Sequence, residues 1–274
     1  RWGVILDAGS SGTRIHIYRW LNYTRARSEA KDADDLARLP ELLTKPNYTK
    51  KIQPGVSNYA DNPLDIGSSH LQSLLDHALN IVPRNQVQYT PIFLMATAGM
   101  RLLEPVKQKA LLDEICSYIK KESKFSLPDC DLHIQVIPGE TEGLYGWLAA
   151  NYLLRGFETP SKQQKYMTKH STYGFLDMGG ASAQIAFAPN STETEKHAND
   201  LKLVRLRTLD GETSEYKVFT TTWLGFGVNQ ARERYIASLI GDSPTKDTHK
   251  LLDPCVPSGL KISTTGLPVS EIQQ

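Results

Sequence analysis

The sequence predicts an α/β protein of two lobes, each a mixed sheet that opens on an antiparallel hairpin. Gly3 to Trp20 (GVILDAGSSGTRIHIYRW) reads as strand, tight turn, strand: the apolar run Val4, Ile5, Leu6 ends in Asp7, a loop of small residues follows, and alternation resumes through Ile15, Ile17 and Tyr18. Tyr173 to Pro189 (YGFLDMGGASAQIAFAP) repeats this without gaps, matching Asp7 with Asp177, Gly9 with Gly179, Gly12 with Ser182 and Ile15 with Ile185 at an offset of 170 residues (177 − 7). So long an offset suits two similar domains rather than a solenoid. Strands and helices also follow in similar order on both sides of about Glu142, which divides the chain into lobes of residues 1–141 and 142–274.

The two loops carry the first chemistry. A turn made of Gly, Ser, Ala and Thr leaves its backbone N–H groups uncovered, so several can converge on one anion. Asp7 and Asp177 precede the loops, and a carboxylate facing a bound anion makes sense only with a cation or water between them. Two such loops across a cleft would hold one polyphosphate and its metal. A Gly/Ser hairpin with a solvated Asp is the alternative for either stretch alone; the second copy weighs against it.

Taken in order, Leu21 to Lys51 is polar, with Pro40 and Pro46, and reads as a surface excursion. Lys51 to Val56 is a further strand. Leu64 to Ile81 has helical spacing at Leu71, Leu74, Leu75, Ala78 and Leu79, and Pro83 stops it. Gln88 to Leu94 is a strand leading through small residues to a helix, Pro105 to Lys120. Thr97, at that junction, is placed to present a hydroxyl to a ligand, or else only caps or packs. His133 to Ile137 is a strand running into Pro138-Gly139-Glu140-Thr141-Glu142 and a helix. A carboxylate at such a turn suits a general base, although a helix-capping role competes, and Glu140 and Glu142 both qualify. After the second loop, Lys202 to Leu206 and Glu215 to Thr222 form a hairpin around Asp210-Gly211. Trp223 to Gly227 then leads into a helix carrying Arg232, Arg234 and Tyr235, and the chain beyond Asp242 is rich in Pro, Ser, Thr and Lys.

At 274 residues with 40% hydrophobic content the chain can bury real cores. Lys plus Arg number 31 against 30 Asp plus Glu, so the net charge of +1 offers nothing to nucleic acid or an anionic membrane. No run of 18 apolar residues occurs, and the expectation is that any membrane anchor lies outside this chain. Sequons at Asn22, Asn47 and Asn190 favour the secretory route. Cys116, Cys130 and Cys255 are too few and too dispersed for a zinc site; the first two could close a short loop, leaving Cys255 odd.

Four ordered segments, DAGSSGT (Asp7 to Thr13), ATAGMR (Ala96 to Arg101), EGLYGWLAAN (Glu142 to Asn151) and DMGGASAQ (Asp177 to Gln184), resemble the apyrase family of nucleoside triphosphate diphosphohydrolases. The resemblance covers roughly residues 3 to 240. It implies the two-lobed actin/hexokinase-like (RNase H-like) fold with the active site in the interlobe cleft, and hydrolysis of the terminal phosphate of nucleoside tri- and diphosphates. It further implies that Asp7 and Asp177 hold waters of a bound Mg²⁺ or Ca²⁺. Phosphates would be gripped by Ser10, Ser11, Gly12 and Thr13, by Gly179, Gly180, Ala181 and Ser182, and by Thr97. The tie between carboxylates breaks toward Glu142, which precedes Gly-x-x-x-Trp, as the base, with Ser182 and Gln184 orienting the attacking water.

Gly12, where surface members carry His, and Thr220 to Tyr235 resemble the Golgi and lysosomal members, fungal ones included. A membrane-anchored enzyme of the Golgi lumen that supports glycosylation is therefore expected. The family's fifth segment is not found by residue 274, so part of the second lobe is expected in another chain or fragment. The rivals are an exopolyphosphatase-like hydrolase and a nucleotide-gated, chaperone- or actin-like binding protein.

Overall fold

A computed structural model describes residues 1–158, 172–242 and 252–263. In the first lobe, β1 (Trp2–Ala8) and β2 (Thr13–Arg19) form the expected hairpin. The excursion after it holds two short helices, α1 (Tyr23–Glu29) and α2 (Ala33–Leu36), capped by Asn22 and Asp32. β3 (Thr49–Ile52) ends four residues earlier than the sequence predicts. The predicted helix over 64–81 begins as a π-turn, Gly67–Leu71, and continues as α3 (Gln72–Ile81), ending ahead of Pro83. β4 (Ile92–Ala96) starts later than expected because Val87–Tyr89 forms a 3₁₀ turn. Then come α4 (Ala98–Arg101), α5 (Pro105–Glu122), α6 (Cys130–His133) and β5 (Ile134–Val136).

The sheet order is β3-β2-β1-β4-β5, with β1 antiparallel to β2 and parallel to β4. Alternation puts Val4, Leu6, Ile15 and Ile17 into one core, and Leu111, Ile115 and Ile119 of α5 meet that core at i, i+4 spacing. Cys116 and Cys130 are joined by a disulfide, which ties α5 to α6.

In the second lobe, α7 (Gly139–Leu153) covers a sheet of β6 (Phe175–Met178), β7 (Ser182–Phe187), β8 (Leu201–Arg207) and β9 (Thr213–Leu224). Asn190 caps α8 (Ser191–Lys196) in the polar stretch, and α9 (Val228–Asp242) follows β9. The sheet order is β6-β7-β9-β8, and every pairing among the described residues is antiparallel. Among the described residues the expected mixed sheet is seen in the first lobe alone; β6, the counterpart of β1, pairs with β7 and with no parallel neighbour. Trp147 is wholly buried against Ala186, Val204 and Val218. The opposite face leaves Leu176, Met178, Phe187 and Trp223 exposed. Most of the Pro-, Ser-, Thr- and Lys-rich stretch beyond Asp242 lies outside the described residues.

The excursion is no passive loop. Leu36 and Arg38 accept backbone hydrogen bonds from Asp210 (2.8 Å) and Leu209 (3.0 Å) at the β8–β9 turn. Tyr152 Oη, on α7, accepts from Leu42 N at 2.7 Å and donates to Pro40 O at 3.1 Å. At Leu43 the chain is hydrogen-bonded back to Arg19. Residues 21–43 therefore strap the first lobe to the second.

Candidate active site in the interlobe cleft

The repeat seen in the sequence persists in strand register. Asp7 faces Arg14 and Ala8 faces Thr13 across the first hairpin; Asp177 faces Gln184 and Met178 faces Ala183 across the second. Each pair maps onto its counterpart by the same offset, so the two hairpins share one register. They meet across the cleft: a Cβ on Gly180 would come within 2.5 Å of Ser10 Oγ. Each loop rests on glycines from elsewhere, Gly55 and Gly99 behind the first and Gly227 behind the second.

Placement of the expected residues is uneven. Ser11 is exposed, and Ser10, Gly179 and Gly180 are half-buried at the facing loops, whereas Gly12 and Ala181 are buried. Thr97 sits where β4 gives way to α4, its N–H bonded to Ala8 O at 3.1 Å. Its side chain does not cap α4, which removes one of its two competing roles. Thr13 departs from expectation. It lies on the same face of β2 as Ile15 and Ile17, wholly buried, and its Oγ1 is 2.7 Å from Nε2 of the buried His70. Strand alternation turns that hydroxyl into the core, away from phosphate.

Glu142, Ser182 and Gln184 come together. Glu142 stands in the first turn of α7 with a side chain 22% exposed, while Glu140 is exposed to solvent. Gln184 Nε2 is 2.5 Å from Ser182 Oγ and 3.2 Å from both Glu142 Oε2 and Thr222 Oγ1. Its Oε1 is buried without a partner, an acceptor that a bound water would satisfy. Arg101, the charged residue of ATAGMR and absent from the sequence-based site, places Nη2 2.5 Å from Glu142 Oε2 and 3.3 Å from Ser182 Oγ. Burial raises the Glu142 carboxyl above the ordinary carboxylate range; Arg101 opposes this, and Asp177 and Asp7 reinforce it.

That last pair tests the implied cation. Among the described residues no three His, Cys, Asp or Glu side chains group closely enough to hold an ion directly. Asp7 and Asp177 do, however, stand one residue before the ends of matching strands, and the like charge of both reinforces the rise at Glu142. This donor set suits a divalent cation held through water, which would relieve the accumulated negative charge.

Over residues 1–272 the chain matches the model of the GDA1/CD39 (nucleoside phosphatase) family. It is 44% identical over 272 residues to a protein named Golgi apyrase from Saccharomyces cerevisiae, covering 94% of this chain and 42% of the relative. A Golgi apyrase from Schizosaccharomyces pombe is 41% identical, covering 97% and 45% respectively. The nucleoside-diphosphatase mig-23 of Caenorhabditis elegans is 32% identical, covering 96% and 47%. The chain thus spans less than half the length of these curated relatives. Among solved structures, a nucleoside triphosphate hydrolase from Neospora caninum aligns with a TM-score of 0.49 and 19% identity, covering 89% of this chain and 48% of that one. With four ordered motifs folded into one cleft and a family match along nearly its whole length, the chain belongs to the GDA1/CD39 (nucleoside phosphatase) family.

Proposed function

We propose that this chain carries the hydrolytic site of a Golgi-type apyrase, which removes the terminal phosphate of nucleoside tri- and diphosphates and leaves the monophosphate. The observation that carries the reading is the meeting of Glu142, Ser182 and Gln184 within hydrogen-bond distance beside two Asp-led anion loops.

The loops at Ser10, Ser11 and Gly12, and at Gly179, Gly180, Ala181 and Ser182, grip the phosphates, and Thr97 closes the site beside Asp7. Asp7 and Asp177 would hold Mg²⁺ or Ca²⁺ through water, and the ion would supply neutralising charge to the phosphates. Gln184 and Ser182 orient a water for in-line attack, and Glu142 takes its proton. The bond from the terminal phosphorus to the bridging oxygen breaks, releasing phosphate and a nucleotide shorter by one phosphate. Because base and phosphate loops are fixed on the fold before substrate arrives, little reorganisation is needed at the moment of attack.

Three features support the Golgi lumen as the workplace: the yeast relatives' names, the Cys116–Cys130 disulfide and the three sequons. No helix among the described residues is long and apolar enough to cross a membrane, and the reading places an anchor outside them.

The test is phosphate release by the longest natural polypeptide carrying this sequence, offered ATP, ADP, UDP, GDP and polyphosphate with Mg²⁺, Ca²⁺ or a chelator. Metal-dependent release from the nucleotides, diphosphates included, is expected. Release from polyphosphate alone would make the protein an exopolyphosphatase, and tight nucleotide binding without turnover would make it a gated binding protein. Asp7→Ala and Asp177→Ala should each lower activity and weaken its dependence on metal. Full activity of either variant in chelator would defeat the metal assignment.

A further inference from the structure

One protein cation is built into the site without a part in the chemistry above. Arg101 ends α4 on the first lobe, yet both its side-chain partners, Glu142 and Ser182, belong to the second. Its side chain is 14% exposed, and its Nε is buried with no partner. Gly139 leaves room for the reach, since a Cβ there would lie 2.3 Å from both Arg101 Nη1 and Thr222 Oγ1. The contacts from Arg101 and Gln184 both fall on Oε2 of Glu142, which leaves Oε1 for the proton of the attacking water.

We infer that Arg101 is a positioning residue for the reaction: reaching across the cleft, it holds Glu142 in place and ties the base to Ser182 of the water-orienting pair. The inference rests on the hydrolytic reading above. Its physical basis is the company Glu142 keeps. Asp7 from β1 and Asp177 from β6 bear on it with like charge, Ser182, Gln184 and Thr222 surround it with neutral groups, and Arg101 supplies the opposing positive charge. Burial and the like charges raise the Glu142 carboxyl and Arg101 opposes them, so losing Arg101 favours the protonated form of the base. A guanidinium is suited to the task because it stays charged, and here its Nη2 reaches both Glu142 Oε2 and Ser182 Oγ.

The experiment measures kcat and KM against pH for a nucleoside diphosphate with Mg²⁺, in the longest natural polypeptide, for Arg101→Gln, Arg101→Lys, Gly139→Ala, Thr222→Val and Glu142→Gln. Arg101→Gln should move the acid limb of kcat upward by ~1–2 pH units, lower kcat at neutral pH by ~10-fold or more with recovery at higher pH, and leave KM within a few-fold. Arg101→Lys should restore much of the limb. Gly139→Ala crowds the guanidinium and Thr222 alike while keeping the charge; it should shift the limb the same way and Thr222→Val alone should not, so the test survives if Arg101→Gln fails to fold. In the Glu142→Gln background, losing Arg101 should cost little more. An unmoved acid limb in folded Arg101→Gln or Gly139→Ala, or a loss confined to KM, would overturn the inference and make Arg101 a phosphate ligand or a structural residue. No phosphate release by the unmutated polypeptide would instead sink the hydrolytic reading itself.

Discussion

Glu142→Gln keeps the shape and hydrogen bonds of the base but cannot take a proton. Turnover should fall by ~10² to 10⁴ while nucleotide affinity, measured by calorimetry, stays close to that of the unmutated protein. An unchanged rate would remove Glu142 from the chemistry. His70 makes a second residue-scale prediction. Burial pushes its imidazole down from 6.5 to about 4, so the folded protein keeps it neutral where the unfolded chain takes up a proton. Stability from this site is full above pH 6.5 and falls as the pH drops toward 4, by up to about 3 kcal/mol. Urea melts between pH 7 and 4 should show that loss, and His70→Asn should flatten it. The residue scale is also where the sequence was least legible. Thr13 follows a loop of small residues, and the sequence alone did not mark it as the first inward position of β2. His70 and Thr222 carried no signal. Arg101 stood inside ATAGMR, and its charge in a motif of otherwise neutral residues was the available clue.

At the scale of elements, the two hairpins and their loops were legible because both depend on local rules: alternation sets the strands, and a Gly- and Ser-rich stretch sets the turn. Their strand ends were less so. β4 starts at Ile92 because Val87–Tyr89 closes a local 3₁₀ turn first, a choice between near-equal local options. What holds the loops in place comes from far along the chain. Gly227 packs on the backbone of Gly180 and Ala181, and a Cβ there would lie 2.3 Å from Ala181 N. Gly227→Val should therefore push the second loop out of shape, destabilise the protein by ~1–3 kcal/mol and weaken nucleotide binding. Thermal melts and nucleotide titration would show both effects, and an unchanged affinity would mean that the second loop does not hold phosphate.

For the whole molecule, the decisive feature is how the two lobes are joined. Residues 21–43 leave the first lobe, hydrogen-bond the β8–β9 turn and the end of α7, and return, so the cleft is bounded by a strap as well as by the direct chain connection. Tyr152→Phe removes the hydroxyl that serves both Leu42 and Pro40. It should cost about 1 kcal/mol locally and speed hydrogen exchange in residues 36–43 while leaving α5 amides protected. Equal protection in both proteins would show that the strap holds without Tyr152. The sequence by itself determined the two matching hairpins with their Gly- and Ser-rich loops and leading aspartates, offered the Cys116–Cys130 pairing as an option, and favoured Glu142 over Glu140 once the motifs were recognised. All of these follow from local patterning or from residues set close together in the chain. Only the tertiary structure decided that Arg101 sits on Glu142, that Thr13 turns to His70, that the second sheet is antiparallel among its described strands and that the polar excursion is a strap. Each is a meeting between residues tens of positions apart, set by which faces pack and where buried polar groups find partners, and no local period records those.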